Sequence, residues 1–166
     1  FQAPNGGLTV EVFDFSYDNA QGYVYTGPLT VDSNPYALRL LHVILPNKVI
    51  QGAMGGKASL YPYVNVELSS VNLTNQYLIM TNNPTTNKAM FKVPIDNIIE
   101  LENATFINCT SNDMTQVIRF STNINYRVKI TLPNGQVFNP ITKDTVSPAP
   151  SDPMIQVSTL FELSKV

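Results

Sequence analysis

Residues 125–138 read NYRVKITLPNGQVF and show the clearest alternation of apolar and polar residues in the chain. Apolar and polar residues alternate over its first eight positions, and this period of two is typical of a β-strand with one buried face. Pro133-Asn134-Gly135 then predicts a tight turn, because Asn-Gly is the strongest short-range hairpin signal. The stretch therefore predicts two antiparallel strands. The first places four side chains toward a core: Tyr126, Val128, Ile130 and Leu132.

The same kind of pattern continues on both sides of this hairpin. Short alternating runs are broken by Asn, Gly, Pro and Asp roughly every 8–15 residues, which is typical of an all-β sandwich or barrel. Residues 36–45 are apolar on both faces and predict a strand that is buried on both sides. The further predicted strands are 8–15, 23–31, 61–68, 76–81, 88–93, 104–109, 114–120 and 154–163, and the one helical candidate is 94–102.

A long Pro-rich connector, residues 139–153, precedes the last predicted strand. Long connections that return a terminal strand to a sheet are typical of Greek-key proteins, and eight strands in two such sheets form a jelly roll. We therefore predict an all-β, single jelly-roll sandwich of two antiparallel sheets and about eight strands, with at most one short helix. Periodicity leaves an immunoglobulin-like sandwich open, although its Cys-Trp-Cys pattern is absent.

The domain is predicted to span residues 1–166. Residues 1–35 are expected to be an N-terminal arm or added strands, packed on this domain or on a neighbouring subunit. Because the chain begins with Phe1 rather than Met, we expect the natural N-terminus to be missing or processed. The predicted core includes Val64, Val66, Phe91, Val93, Phe106, Ile118, Val128, Ile130, Val157 and Phe161.

Composition narrows the functions that the chain can have. Its 166 residues include 10 Lys+Arg and 12 Asp+Glu, a formal net charge of −2, and only 13% charged residues. Nucleic-acid binding needs a basic patch, so no contact with nucleic acid is expected. No apolar run approaches the ~18 residues of a membrane helix, so no transmembrane segment is expected. Such sparse surface charge protects weakly against association, so we expect partners to cover part of the surface.

The single His and the single Cys are the first candidates for chemistry. His42 lies among Leu40, Leu41, Val43 and Ile44, whereas a hydrolase needs an accessible imidazole oriented by an acid. We expect a structural His held by a hydrogen bond. Cys109 has no cation within nine residues, so we expect a small buried hydrophobe rather than a reactive thiol.

The remaining motifs predict no catalytic, cofactor or metal site. Residues 52–57 (GAMGGK) depart from a phosphate loop, because three residues rather than four separate Gly52 from Gly56-Lys57 and Ala58 follows. The carboxylates that cluster are Asp96, Glu100 and Glu102, and no Asp run has calcium-loop spacing. A glycosidase pair assembled from distant strands stays open.

Two further residue sets have competing interpretations. Glycosylation sequons begin at Asn72, Asn103 and Asn108, but the last two fall on predicted strands, and we expect them to be unused. Four tyrosines suggest either a carbohydrate platform or core and interface positions, and the second is favoured for aromatic side chains on strands. They are Tyr61, Tyr63, Tyr77 and Tyr126.

Six segments together resemble a known family. They are YPYVNVEL (61–68), LIMTNNP (78–84), KAMFKVP (88–94), MTQVIRF (114–120), LPNGQVF (132–138) and QVSTLFEL (156–163). Their order and content are similar to the single jelly-roll minor capsid or penton proteins of virophages, polinton-like viruses and some large DNA viruses. The resemblance covers residues 36–164 and has no counterpart for residues 1–35.

The resemblance implies a structural role at the five-fold vertices of a virion that is assembled inside the host cell. It implies a homo-oligomer, specifically a pentamer, that contacts a major capsid protein, with no cofactor and no enzyme activity. Ring or isologous contacts would close such an oligomer. Two alternatives stay open: a jelly-roll lobe of a larger capsid protein, and a carbohydrate-binding jelly-roll module.

Overall fold

The computed structural model describes residues 8–18, 22–30, 34–52, 56–70, 79–86, 88–95, 104–111, 114–120, 124–141, 144 and 148–166. Ten β-strands occupy most of this part of the chain. They are β1 (Leu8–Val12), β2 (Ser16–Asp18), β3 (Gly22–Leu29), β4 (Pro35–Pro46), β5 (Tyr63–Ser69), β6 (Phe91–Pro94), β7 (Phe106–Thr110), β8 (Thr115–Arg119), β9 (Ile124–Thr131) and β10 (Ser158–Lys165). Its helical residues form two short 3-10 turns, Ala58–Leu60 and Pro153–Ile155.

The strands form two antiparallel sheets. The first sheet has the order β1-β10-β4-β7. β7 pairs with the second half of β4, and β8 pairs with the first half of β4 on the same side. The second sheet has the order β2-β3-β9-β5-β6. Buried side chains from both sheets form one core, so the architecture is a β-sandwich, as predicted.

The connectivity is that of a jelly roll. If β2 is counted as an extension of the β3 edge, and β7 and β8 as one interrupted strand, eight principal strands remain. The first then pairs with the last, the second with the seventh, the third with the sixth and the fourth with the fifth. These pairs divide between two facing sheets, which is the jelly-roll arrangement.

The first strand and the turn of the predicted hairpin form as expected, whereas the second predicted strand, residues 136–138, is reduced to an isolated bridge between Val137 and Thr131. In β9 and just after it, Tyr126, Val128, Ile130 and Leu132 are buried. The chain then reverses at Asn134-Gly135, where Gly135 has a φ of 85°, a conformation that favours glycine. Backbone bonds from Leu132 N to Gln136 O (2.8 Å) and from Phe138 N to Ile130 O (2.8 Å) close the hairpin.

Residues 8–18 and 22–29 contribute to both sheets. β1 pairs with β10 in the first sheet, and β3 pairs with β9 in the second. Asp14, at a φ of 65°, lies between β1 and β2, where the chain leaves one sheet for the other. Most of the described residues of the 1–35 segment, those of β1, β2 and β3, are therefore strands of the sandwich.

β4 is the central strand of the first sheet, flanked by β10 on one side and by β7 and β8 on the other. Its burial alternates, with Leu38, Leu40, Val43 and Leu45 in the core and Ile44 half-buried on the other face. The expectation that β4 is buried on both faces is therefore met on one face only. The register shifts between Leu160 and Phe161 of β10, opposite the change of phase in β4.

Nine of the ten predicted core residues are buried, and Phe106 is the exception. In β7 the alternation places Ile107 and Cys109 in the core, so Phe106 lies half-buried on the opposite face beside Pro46. The prediction for Phe106 was wrong because a five-residue strand with apolar residues at neighbouring positions does not fix which face is buried.

The last predicted strand, 154–163, begins only at Ser158, because Pro153–Ile155 form a 3-10 turn. Two other predicted elements also differ or lie outside the described residues. Residues 79–81, the described part of the predicted strand 76–81, are not in a strand, and Met80 is fully exposed. Most of the helical candidate 94–102 lies outside the described residues. Its first residue, Pro94, ends β6 instead of starting a helix.

Candidate functional site

The outer face of the first sheet, turned away from the second sheet, is poor in charge. One row across it joins Glu11, Leu160, His42 and Thr110, and the next joins Thr9, Glu162, Arg39 and Thr115. Arg39 donates a 2.8 Å hydrogen bond to Glu162, so these two charges neutralise each other at the centre of the face. Around the pair lie Ala37, Ile44, Phe106, Val117 and Leu160. This face can pack against another protein surface at little electrostatic cost.

The four lateral edges of the sandwich are not protected equally. In the second sheet, the edge strand β6 carries the exposed residues Lys92 and Pro94, and β3 carries the exposed Pro28 beyond the end of β2. Lys and Pro at an edge discourage pairing with another chain. In the first sheet, β1 carries one charged residue, Glu11, and neither Lys nor Pro. At the other edge, β7 carries no charge and no Pro, and β8 carries one charged residue, the exposed Arg119. The first sheet therefore has the two less protected edges.

His42 and Cys109 lie on opposite faces of the first sheet. Cys109 is fully buried in the core opposite Val43, whereas His42 is half-buried on the outer face opposite Thr110. A sheet backbone separates the thiol from the imidazole, so the two cannot form a catalytic pair. The prediction that Cys109 is a buried hydrophobe is confirmed. The hydrogen bond expected for His42 is absent at Nδ1, which is buried without a partner.

The outer face of the second sheet also carries charged side chains. Lys129 Nζ lies 4.0 Å from Glu67 Oε2 on the neighbouring strand, and burial raises the pKa of the Glu67 carboxyl, an effect that Lys129 partly opposes. Lys92 lies over the ring of Tyr63, 4.1 Å from its centroid. Next to Lys92 across the sheet, Asn65 and Thr131 are paired in register and buried. The amide of Asn65 and the hydroxyl of Thr131 have no hydrogen-bond partner.

A buried polar network anchors the Pro-rich connector to the second sheet. The Tyr23 hydroxyl donates a 3.0 Å hydrogen bond to Gln156, whose amide donates to Asp144. Asp144 also accepts a 2.7 Å bond from the backbone N–H of Asp152. Burial, with the nearby charges of Asp144 and Asp14, raises the pKa of Tyr23 far above its usual value. The phenol therefore stays protonated as a donor, and the network positions the chain. Sequence reasoning missed this network, because Tyr23 and Gln156 are 133 positions apart and the residues of the network follow no local motif.

A small apolar cavity lies between the sheets. Its volume is about 50 Å³, and its walls include Val10, Leu38 and Phe161 of the first sheet and Tyr25, Tyr126 and Val128 of the second. Ligand pockets usually enclose about 300–1,000 Å³ with several polar groups. This cavity is therefore a gap in core packing and not a site for a sugar or a nucleotide.

Among the other candidates, those that the structure describes do not come together into a site. Asp96, Glu100, Glu102, Asn72, Asn103 and Tyr77 lie outside the described residues, as do residues 53–55 of the Gly-rich loop. Asn108 is exposed on β7, Tyr126 is buried in the core, and Tyr61 and Tyr63 are half-buried. Among the described residues, no group of three or more His, Cys, Asp and Glu side chains is arranged to hold a metal ion. No helix in the described ranges has the length and hydropathy needed to cross a bilayer.

Two viral proteins are similar to the chain over nearly its whole length. It is 29% identical over 162 residues to "Uncharacterized protein 069L" of Invertebrate iridescent virus 3, a match that covers 96% of this chain and 38% of that protein. It is 24% identical over 162 residues to "Uncharacterized protein 198R" of Invertebrate iridescent virus 6, which covers 96% of this chain and 34% of that protein.

The chain thus spans about a third of the length of the curated relatives that it matches. No protein-family model matches it, and no solved structure matches it. The relatives indicate that the chain is a viral protein that originates from a large DNA virus.

Proposed function

We propose that this protein is a structural subunit of a viral capsid, in the position of a penton or minor capsid protein. The observation that carries the proposal is the jelly-roll pairing of first with last, second with seventh, third with sixth and fourth with fifth strand, in a chain with large-DNA-virus relatives. Jelly rolls are a recurrent building block of viral capsids. Fold alone is an argument by analogy, so the surfaces must support the role.

The surfaces support assembly. The outer face of the first sheet is nearly neutral because Arg39 and Glu162 pair with each other. The two edges of the same sheet carry neither Lys nor Pro in β1 and β7. A subunit of a capsid shell needs such contact surfaces. A free monomer is better protected against association by charged faces and by edge strands that contain Lys or Pro. In this proposal the partners are further copies of the chain and a major capsid protein, and the protein resides in the virion.

The proposal includes the absence of enzyme activity. It is supported by the separation of His42 and Cys109 on opposite faces of one sheet, and by the raised pKa that keeps Tyr23 protonated. The test is a comparison of hydrolase activity before and after His42→Gln. We expect no turnover in either protein, and robust turnover that disappears in the variant would contradict the proposal.

A second candidate is that the chain is one jelly-roll lobe of a larger capsid protein. The specific observation in its favour is that the matched region makes up only 38% and 34% of the two relatives. A carbohydrate-binding module gains no such support, because Tyr126 is buried in the core and the cavity between the sheets holds about 50 Å³.

The deciding experiment is to locate the chain in purified particles. A small peptide tag inserted at the exposed Asn134-Gly135 turn can be labelled and imaged by electron cryomicroscopy with five-fold averaging. We expect five labels around each vertex. Label at three-fold capsomers would favour the lobe of a larger capsid protein, and absence of the chain from particles would overturn the capsid role.

A further inference from the structure

The first sheet is the starting point, because its two edges run in opposite directions. Its strands alternate in the order β1, β10, β4 and β7, and every neighbouring pair is antiparallel. Four alternating strands place β1 and β7 antiparallel to each other at the two sides of the sheet. β8 continues the β7 side, since it pairs with the other half of β4 in the same orientation.

This polarity suits a head-to-tail contact between copies. A copy that is rotated about an axis along the strands keeps the direction of every strand. Its β1 then lies antiparallel to β7 and β8 of its neighbour, and antiparallel pairs are the more stable kind. A head-to-tail contact of this type closes into a ring when the rotation closes.

Edge protection and charge agree with this arrangement. Within the described part of the chain, no strand pairs with the outer edge of β1 or of β7, and neither strand contains Lys or Pro. The edges of the second sheet carry Lys92, Pro94 and Pro28 instead. With the strands of two copies at equal height, Glu11 of one copy lies beside the uncharged Thr110 of the next, so no like charges meet at this position.

We propose that copies of this chain associate head to tail by adding β1 of one copy to the β7–β8 edge of the next, so that their first sheets become continuous. This inference rests on the proposed function, since it names the contact that would build a ring of subunits. The occupant of the edge is a second copy of the chain. With the strands at equal height, Thr9 of one copy lies beside Thr115 of the next, because both belong to one row across the sheet.

The first test places a lysine on each edge. Thr9→Lys on β1 and Thr110→Lys on β7 change exposed residues of the proposed contact, and Thr26→Lys changes an exposed residue of β3 in the second sheet as the matched control. We expect sedimentation of the unmodified chain to show concentration-dependent self-association. Each edge variant should weaken it at least tenfold, and Thr26→Lys should leave it unchanged. Equal effects of all three variants would overturn the proposal, and so would an unmodified chain that stays monomeric at every concentration.

The second test detects the contact directly. Residues opposite each other across an antiparallel pair lie about 4.5–5.5 Å apart at Cα, within the range that a disulfide bridges. We test the double variants Thr9→Cys/Thr115→Cys and Thr9→Cys/Thr110→Cys under mild oxidation. At least one of the two should give a ladder of disulfide-linked oligomers. The single variants should give no ladder, because Cys109 is buried.

The outcomes separate this inference from the capsid role. Label at the vertices together with no ladder from either pair would overturn the edge contact and leave the proposed function standing. A ladder from a chain that is absent from particles would support the edge contact and overturn the capsid role. Dimers from Thr9→Cys alone would show that two β1 edges meet, which contradicts a head-to-tail ring.

Discussion

Phe161→Ala should strongly destabilise the sandwich. Phe161 lies near the middle of β10, is 4% exposed, and has its ring centroid 6.2 Å from that of Phe91 on the opposite sheet. An aromatic side chain of this kind buries about 200 Å². At ~25 cal/mol per Å² this is worth about 5 kcal/mol, of which the alanine methyl group keeps about 1 kcal/mol. The expected loss in the free energy of unfolding is therefore about 4 kcal/mol, within the range for Phe→Ala changes in cores.

The assay is urea unfolding at pH 7, with Leu160→Ala as the control. Leu160 is the neighbour of Phe161 in the chain but lies half-buried on the outer face, so its removal should cost about 1 kcal/mol. For a chain of this length, about 4 kcal/mol also lowers Tm by roughly 8–16 °C. If Phe161→Ala does not fold, Phe161→Leu should still fold with a loss of about 1 kcal/mol. A loss for Phe161→Ala below about 1.5 kcal/mol, or equal to that of Leu160→Ala, would refute the placement of β10 in the core.

Three further perturbations test other parts of the structure. Burial raises the pKa of Glu67 above 4.5. The protonated carboxyl therefore contributes to stability below that pH, and this contribution is lost as the pH rises through the folded-state pKa. Glu67→Gln should accordingly be more stable than the unmodified chain at pH 7 and equal to it near pH 4 in urea titrations, and the same difference at both pH values would contradict this. Thr131→Val should raise the free energy of unfolding by about 1 kcal/mol, because it removes a buried hydroxyl without a partner, and a loss of stability would mean that the hydroxyl is bonded in solution. Deletion of residues 1–35 should abolish the cooperative unfolding transition, since β1 and β3 belong to the two sheets, whereas a truncated chain that melts cooperatively would show that these strands are dispensable.

Local pattern was sufficient wherever a strand is long and one of its faces is polar. Residues 125–132 alternate over eight positions, so only one face can be apolar, and β9 has the predicted phase and turn. Phe106 shows where pattern fails, because β7 has only five residues and its burial phase depends on β4 beside it. The contact between Tyr23 and Gln156 spans 133 positions, and no local spacing predicts such a contact.

Local sequence is enough to predict the all-β class, the turn at Asn134-Gly135 and most of the core, because period-two hydrophobicity and turn chemistry act over a few neighbouring residues. The neighbours of each strand are known only from the folded chain. The same holds for the direction of each sheet edge and for the separation of His42 from Cys109 by the sheet backbone. Strand order depends on how the inner faces of two whole sheets pack together. The free energy of this packing comes from contacts between segments that are distant in the sequence, so it cannot be predicted from any single segment.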